Sequence, residues 1–238
     1  MQQRRLAAIM FTDIVGYTTM MSKNEKDALQ AIQVVRDELK PLIDKYNGKW
    51  QKEIGDGTLS SFSSAVDAVN CAIDFQRSLE EESFMVRIGI HVGEVTMTED
   101  DIFGDGVNIA SRIEPLTPPG GIYITDRVYE DVSNKPEIKT ALVGTRSLKN
   151  VERPIQIYTL VGEGLPEPPK KPVGNTIGSF FTDLWKRRLP QIMVLYLLIA
   201  FMIVQVVQWI INKFMLSPNW FDLTWILLLS LLPSVAFM

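Results

Sequence analysis

The spacing of apolar positions changes several times along the chain, and each change marks an element. Leu6-Ala-Ala-Ile-Met-Phe11 is a continuous apolar run, the pattern of a buried strand, and a strand is expected over 6–15. The polar stretch SKNEKD from Ser22 can cap a helix, and Leu29, Ile32, Val35, Leu39, Leu42, Ile43 and Tyr46 then recur at helical spacing. Asn47-Gly48 ends that helix, and Pro41 should kink it or divide it into two segments. Lys49 to Ile54 and Thr58 to Phe62 read as a hairpin turning on Gly55-Asp56-Gly57. A second helix is expected from Ala65 to Leu79, with Ala65, Val66, Val69, Ala72, Ile73 and Phe75 on its apolar side. Val86 to Val95 is strongly β-prone, and Gly89 and Gly93 inside it predict close approach of another backbone. Asp105-Gly106 opens a third helix, Val107 to Glu114, which Pro115 stops. Pro118 to Gly121 is a turn, Ile122 to Thr125 a strand, Asp126 to Val132 a short helix, and two late strands run near Leu142 to Leu148 and Ile155 to Val161. This order points to an α+β sheet with helices on one face.

The pattern changes character after residue 163. Leu165-Pro-Glu-Pro-Pro-Lys-Lys-Pro172 is an extended, semi-rigid linker, placed over 164–176. Residues 177–190 mix Phe180, Phe181, Leu184 and Trp185 with Lys186-Arg187-Arg188, as in an amphipathic segment lying in a membrane interface. From Ile192 to Ile211 only Gln205, Gln208 and the hydroxyl of Tyr196 interrupt an apolar run, long enough to cross a bilayer as one helix at 191–211. A second apolar stretch, 221–238, meets Pro233 and stops without a polar flank; the expectation is a truncated second span in a longer protein. An apolar hairpin packed on the preceding domain is the alternative.

Composition agrees with this division. The 238 residues are 46% hydrophobic with a formal charge of −4, but residues 170–238 hold six of the 24 Lys and Arg and two of the 28 acids. The tail is therefore +4 and the preceding domain −8. An acidic domain argues against nucleic acid as a partner, and a basic stretch beside an apolar one argues for a lipid bilayer. The single cysteine, Cys71, excludes an intrachain disulfide and sits on a helix core face as a small hydrophobe. The single histidine, His91, lies in a strand pattern and reads as structural; a Ser-His or Cys-His hydrolase would depend on it alone.

The remaining chemistry lies in three glycine-marked segments. Asp13 in FTDIVGYT follows the first strand, Asp56 in KEIGDGTLSSF sits in the hairpin turn, and DIFGDGVNIASR runs from Asp101 to Arg112. Two carboxylates at strand ends can hold two hard cations, an arrangement suited to displacement at phosphorus. Oxygen donors without nearby His or Cys favour Mg²⁺ or Mn²⁺ over zinc. The amides of Gly16, Tyr17 and Thr18, leading into a helix, can receive terminal phosphates. Asn108 and Arg112, four apart on a helix, project from one face.

These segments, in this order, resemble those of the class III nucleotidyl cyclases over about residues 5–161. The resemblance implies a ferredoxin-like antiparallel core and an enzyme making cyclic AMP or cyclic GMP. It implies two Mg²⁺ or Mn²⁺ per site, held by Asp13 and Asp56 with the backbone carbonyl of Ile14. Lys52 and Asp101 match the pair that reads adenine; guanylate cyclases of this class carry Glu and Cys-like residues there. Asn108 matches the residue that orients the ribose, Arg112 the one that stabilises charge on the α-phosphate, and Lys149 the lysine that binds the β- and γ-phosphates. Asn150 departs from the glycine often found after that lysine. The family places the metal aspartates on one protomer and the other groups on its partner, so one chain type carrying both sets implies a homodimer with two shared sites. The expectation is a multi-pass inner-membrane adenylate cyclase using ATP, its catalytic domain (1–163) in the cytoplasm. A guanylate cyclase and a catalytically silent nucleotide-sensing module are the alternatives.

Overall fold

The computed structural model describes residues 3–98, 101–149, 151, 153–169 and 189–214. The chain divides into two compact units, Met1–Asn175 and Thr176–Met238. In the first, strands β1 (Gln3–Ile14), β2 (Lys49–Ile54), β3 (Gly57–Phe62), β4 (Val86–Met97), β5 (Ile102–Phe103), β6 (Ile122–Thr125), β7 (Lys139–Arg146) and β8 (Ile155–Val161) form one sheet. Its order is β2-β3-β1-β4-β6-β8-β7, with β5 added to β4. The helices are α1 (Tyr17–Lys23), α2 (Glu25–Lys45), α3 (Ala65–Ser78), α4 (Asp105–Ile113) and α5 (Asp126–Val132). A 3-10 turn, Glu114–Leu116, follows α4.

β1 and β4, each of twelve residues, form the spine, antiparallel from Gln3↔Met97 to Ile14↔Val86. Their even-numbered residues, among them Ala8, Met10, Ile14, Ile88, Ile90 and Val92, enter the large apolar core with α2 and α3. Ala7 and Ile9, on the other side, pack with Ala110 of α4. Helices therefore cover both faces of the sheet, not one as the pattern suggested. The sheet is also not wholly antiparallel: β4 pairs β6 in parallel, Ile88↔Ile122 to Ile90↔Ile124. The cause is the crossover through α4, which returns the chain in the direction it left, as a βαβ unit does.

Several boundaries differ from expectation for identifiable reasons. Pro41 does not divide α2, which runs unbroken over 21 residues. Pro41 is exposed, so the carbonyl it leaves unbonded can meet water, while buried Leu39 and Ile43 hold the helix on either side. The α2 cap is Asn24, whose side chain accepts from the Lys26 N–H at 3.1 Å; Ser22 lies within α1. Small Ala28 and Ala31 are buried on α2, and Leu29 is exposed. β7 begins three residues before the expected strand, and β5 was not expected. Both glycine predictions in β4 hold: a Cβ on Gly89 would lie 2.5 Å from the Glu114 nitrogen, and one on Gly93 would lie 2.8 Å from the Gly106 Cα.

In the second unit the described element is one helix, α6 (Leu189–Phe214). Its side chains are described from residue 200, and among the described residues no helix is long and apolar enough to cross a membrane. The linker beyond residue 169, residues 177–188, the expected second span 221–238 and Asn150 lie outside the described residues.

Candidate active site

Asp13 is the penultimate residue of β1, and Asp56 belongs to the two-residue turn Gly55-Asp56 joining β2 to β3. Gly55 takes φ +64°, a conformation glycine adopts without strain. Gly57, expected in the turn, is the first residue of β3 and is paired with Ile54. A Cβ there would lie 2.6 Å from the Thr12 carbonyl oxygen, so glycine lets the hairpin press against the end of β1. The buried Thr12 and Thr58 hydroxyls, 2.6 Å apart, fix the adjoining rung. The Asp56 N–H and that of Ile14, next to Asp13, favour the charged form of the Asp56 carboxyl. Burial first, then the charge of Asp13, raises the Asp56 carboxyl above its ordinary pKa. Two acids in such proximity repel unless a cation lies between them.

In this structure the cation beside them is Arg87, which the sequence reading passed over. It faces Asp13 across the β1–β4 ladder, and its Nη2 donates to Asp13 Oδ2. Its Nε lies 3.0 Å from Oε1 of Glu114, at an angle that makes no hydrogen bond, so both atoms are buried without a hydrogen-bond partner. Glu114 is 8% exposed. Burial, with Asp13 and Asp56 adding and Arg87 opposing, pushes its carboxyl up to about 7. The available signal was a charged residue placed between Val86 and Ile88 in a β-prone run.

The other expected residues form two further pairs. Lys52 Nζ donates to Asp101 at 2.6 Å (Oδ1) and 2.9 Å (Oδ2). A register shift between Trp50 and Lys52 in β2 re-aims the lysine, as a bulge does. The hydrogen bond from Lys52 lowers the Asp101 carboxyl pKa, helped by the Ile102 N–H. Asp101 thus meets Lys52. On α4, Gly106, Ala110 and Ile113 are buried, which leaves Asn108 and Arg112 on the outer face. Arg112 Nη1 donates to the carbonyl of Lys149, in the β7–β8 loop. Neither Glu114 nor Asp105 takes Arg112 as a salt-bridge partner among the described ion pairs. Gly16, at φ +72°, precedes α1 without a side-chain cap, followed by half-buried Tyr17 and exposed Thr18.

His91 is structural: buried, with Nδ1 2.9 Å from Thr125 Oγ1. Burial, then Arg127 and Arg153, pushes it down to about 3. Cys71 is buried too, and burial pushes its thiol up to about 12.

Comparison with known proteins places the fold in a family. The chain is 36% identical over 191 residues to putative adenylate cyclase 3 of Rhizobium meliloti (strain 1021), covering 71% of this chain and 32% of that protein. It is 32% identical over 187 residues to an adenylate cyclase of Anabaena cylindrica, covering 65% and 36%. This chain thus spans about a third of the length of these curated relatives. Its fold matches the crystal structure of an adenylate/guanylate cyclase/hydrolase from Silicibacter pomeroyi at TM-score 0.64 and 33% identity, over 68% of this chain and 100% of that one. Residues 1–162, which hold the sheet, the paired aspartates and the α4 face, match the adenylate and guanylate cyclase catalytic domain, and the chain belongs to that family.

Proposed function

We propose that this protein is a membrane-anchored adenylate cyclase that converts ATP to 3′,5′-cyclic AMP and pyrophosphate at sites shared by two copies of the chain. The observation that carries the reading is the convergence of Asp13 and Asp56 beside a cationic group. This all-oxygen set fits Mg²⁺ or Mn²⁺, with the Ile14 carbonyl as a third donor. When bound, two such cations acidify the ribose 3′-hydroxyl and neutralise the departing pyrophosphate. The chain's own groups bind and orient. The backbone at Gly16, Tyr17 and Thr18 faces the terminal phosphates together with Lys149, Asn108 holds the ribose, and Arg112 directs its donors at the α-phosphate. The 3′-oxygen bonds to the α-phosphorus as the bond to the α–β bridging oxygen breaks.

ATP is favoured over GTP by the Lys52–Asp101 pair. Lys52 can donate to adenine N1 and Asp101 can accept from the 6-amino group, the reverse of what guanine requires. Product analysis of the purified chain with ATP or GTP and Mn²⁺ or Mg²⁺ tests the assignment. Cyclic AMP as the main product is expected, and neither cyclic nucleotide would refute it. Mixing inactive Asp13→Ala protein with inactive Arg112→Ala protein tests the shared site. Restored activity is expected, because one site in each mixed dimer escapes both lesions. No rescue, with subunit exchange verified, would argue for sites built within one chain.

Anchoring rests on the apolar run Ile192–Ile211, preceded by Lys186-Arg187-Arg188. In this reading the inner membrane holds that helix and a second span over 221–238, with the catalytic domain in the cytoplasm. A cysteine at Ser217, in a background without Cys71, should react with a membrane-impermeant reagent in intact cells. Labelling only after lysis would refute the hairpin topology.

A further inference from the structure

Arg36 and Lys40, one turn apart on α2, take no part in the proposed reaction, and both engage β2. Arg36 makes a two-pronged contact with Glu53: Nε donates to Oε1 at 2.9 Å and Nη2 to Oε2 at 2.7 Å. Its Nη1 donates to Gln33 Oε1 at 3.1 Å, and Gln33 Nε2 donates in turn to Asp37 Oδ1 at 2.7 Å. A guanidinium held from both sides is fixed in direction, which sets this pair apart from an ordinary surface contact. The Arg36 hydrogen bonds hold the Glu53 carboxyl below its ordinary pKa, so the pair stays charged at neutral pH. Lys40 Nζ lies 4.9 Å from the centre of the Trp50 ring.

β2 is an edge strand, paired with β3, and its register is interrupted. Trp50 faces Ser60 and Lys52 faces Leu59. Gln51 is the additional residue between them, and its Nε2 donates to Ser61 Oγ at 2.6 Å. Successive residues of β3 point to opposite faces of the sheet. Leu59 packs on the α4 side with Ile9 and Ala110, whereas Trp50 packs against the large core beneath α2. The bulge therefore puts Lys52 on the α4 side, and Trp50 and Glu53 together on the α2 side. In an unbulged strand Trp50 and Lys52 would share one face and Glu53 would lie on the other. Arg36 and Lys40 can engage Glu53 and Trp50 together only in the bulged register.

We propose that Arg36 and Glu53 are positioning residues that lock β2 in its bulged register and so keep Lys52 on the face where it meets Asp101 and the base. The inference rests on Lys52 as a base-reading residue. Asp56 does not depend on this lock, because Gly57 and the Thr12 and Thr58 hydroxyls tie the hairpin turn to β1. Loss of the pair therefore reaches base recognition and spares turnover.

Steady-state kinetics of the full chain with ATP and with GTP test this. Arg36→Gln should raise KM for ATP about tenfold and lower the preference for ATP over GTP about tenfold, with kcat within about twofold of the parent's. Glu53→Ala should do the same, and the double variant should be no worse than either, because both act through one contact. In a Lys52→Ala background, Arg36→Gln should add nothing to the loss of preference. Parental KM and preference in Arg36→Gln would overturn the proposal. So would additive losses in the double variant, a fall in kcat in place of the KM effect, or a further loss in the Lys52→Ala background. If Lys52→Ala itself leaves KM and preference at parental values, the base-reading assignment fails and this inference falls with it. A response to Lys52→Ala with none to Arg36→Gln refutes only the inference.

Discussion

β4 separates two regions of different chemistry with a single strand. Val86, Ile88, Ile90 and Val92 point into the core beneath α2 and α3, where Phe75, Phe62 and Leu39 are also fully enclosed. Arg87, Gly89, His91 and Gly93 point the other way, towards α4 and the turn after it. One face is large, apolar and close-packed. On the other, glycines of β4 admit backbone, and Arg87 and His91 stand beside a smaller apolar cluster that includes Ile9, Val95 and Ala110. The period of two along a strand is what allows this: neighbours on the chain face opposite surroundings. The apolar face supplies the stiffness that holds unfavourable groups on the other face at fixed separations. Packing strength and chemical function are thus carried by alternate residues of the same strand.

If that division is real, substitutions on the two faces should damage different properties. The largest effect belongs to the acids. Asp13→Ala or Asp56→Ala should lower cyclase turnover by about three orders of magnitude or more, with circular dichroism and melting temperature near the parent's. Near-parental activity in both variants would break the comparison at its main point. The matching lesion on the apolar face is Phe75→Ala, expected to cost about 3–5 kcal/mol of stability in denaturant titration while turnover per folded molecule stays close to parental. Loss of activity in the folded fraction would show that the faces are not separable.

A smaller effect concerns selection of the base. Lys52→Glu with Asp101→Cys should shift the ratio of ATP to GTP use by about ten- to a hundredfold towards GTP. An unchanged ratio would remove both residues from base reading. The smallest effect is in pH dependence. His91 is held neutral in the fold, pushed down to about 3, whereas in the unfolded chain it takes a proton near its ordinary 6.5. Its contribution to stability is therefore complete above pH 6.5 and is lost as pH falls from there towards 3. Between pH 6.5 and 5.5 the parent should lose about 1 kcal/mol that His91→Gln does not. Parallel stability curves for the two proteins would place the acid sensitivity elsewhere on this face.

The sequence by itself determined those features that short stretches encode. Continuous apolar runs marked β1 and β4, and helical spacing marked α2 and α3. Gly89 and Gly93 announced backbone contact before its partner was known. Asp13, Asp56, Asn108 and Arg112 stood out by their local pattern of strand end, turn or helix face, and Lys52, Asp101 and Lys149 only by the resemblance to the family. The tertiary structure alone decided which of these meet. Arg87 reaches Asp13 across 74 residues of chain because the β1–β4 register puts them opposite each other, and no local pattern carries a register. Glu114 looked like a helix end beside a proline until Gly89 drew it against the sheet. The parallel β4–β6 pair and the placing of α4 on the second face likewise depend on the route of a crossover. Spacing records which side chains share a face, but the partner of that face is set by packing between segments distant in the chain.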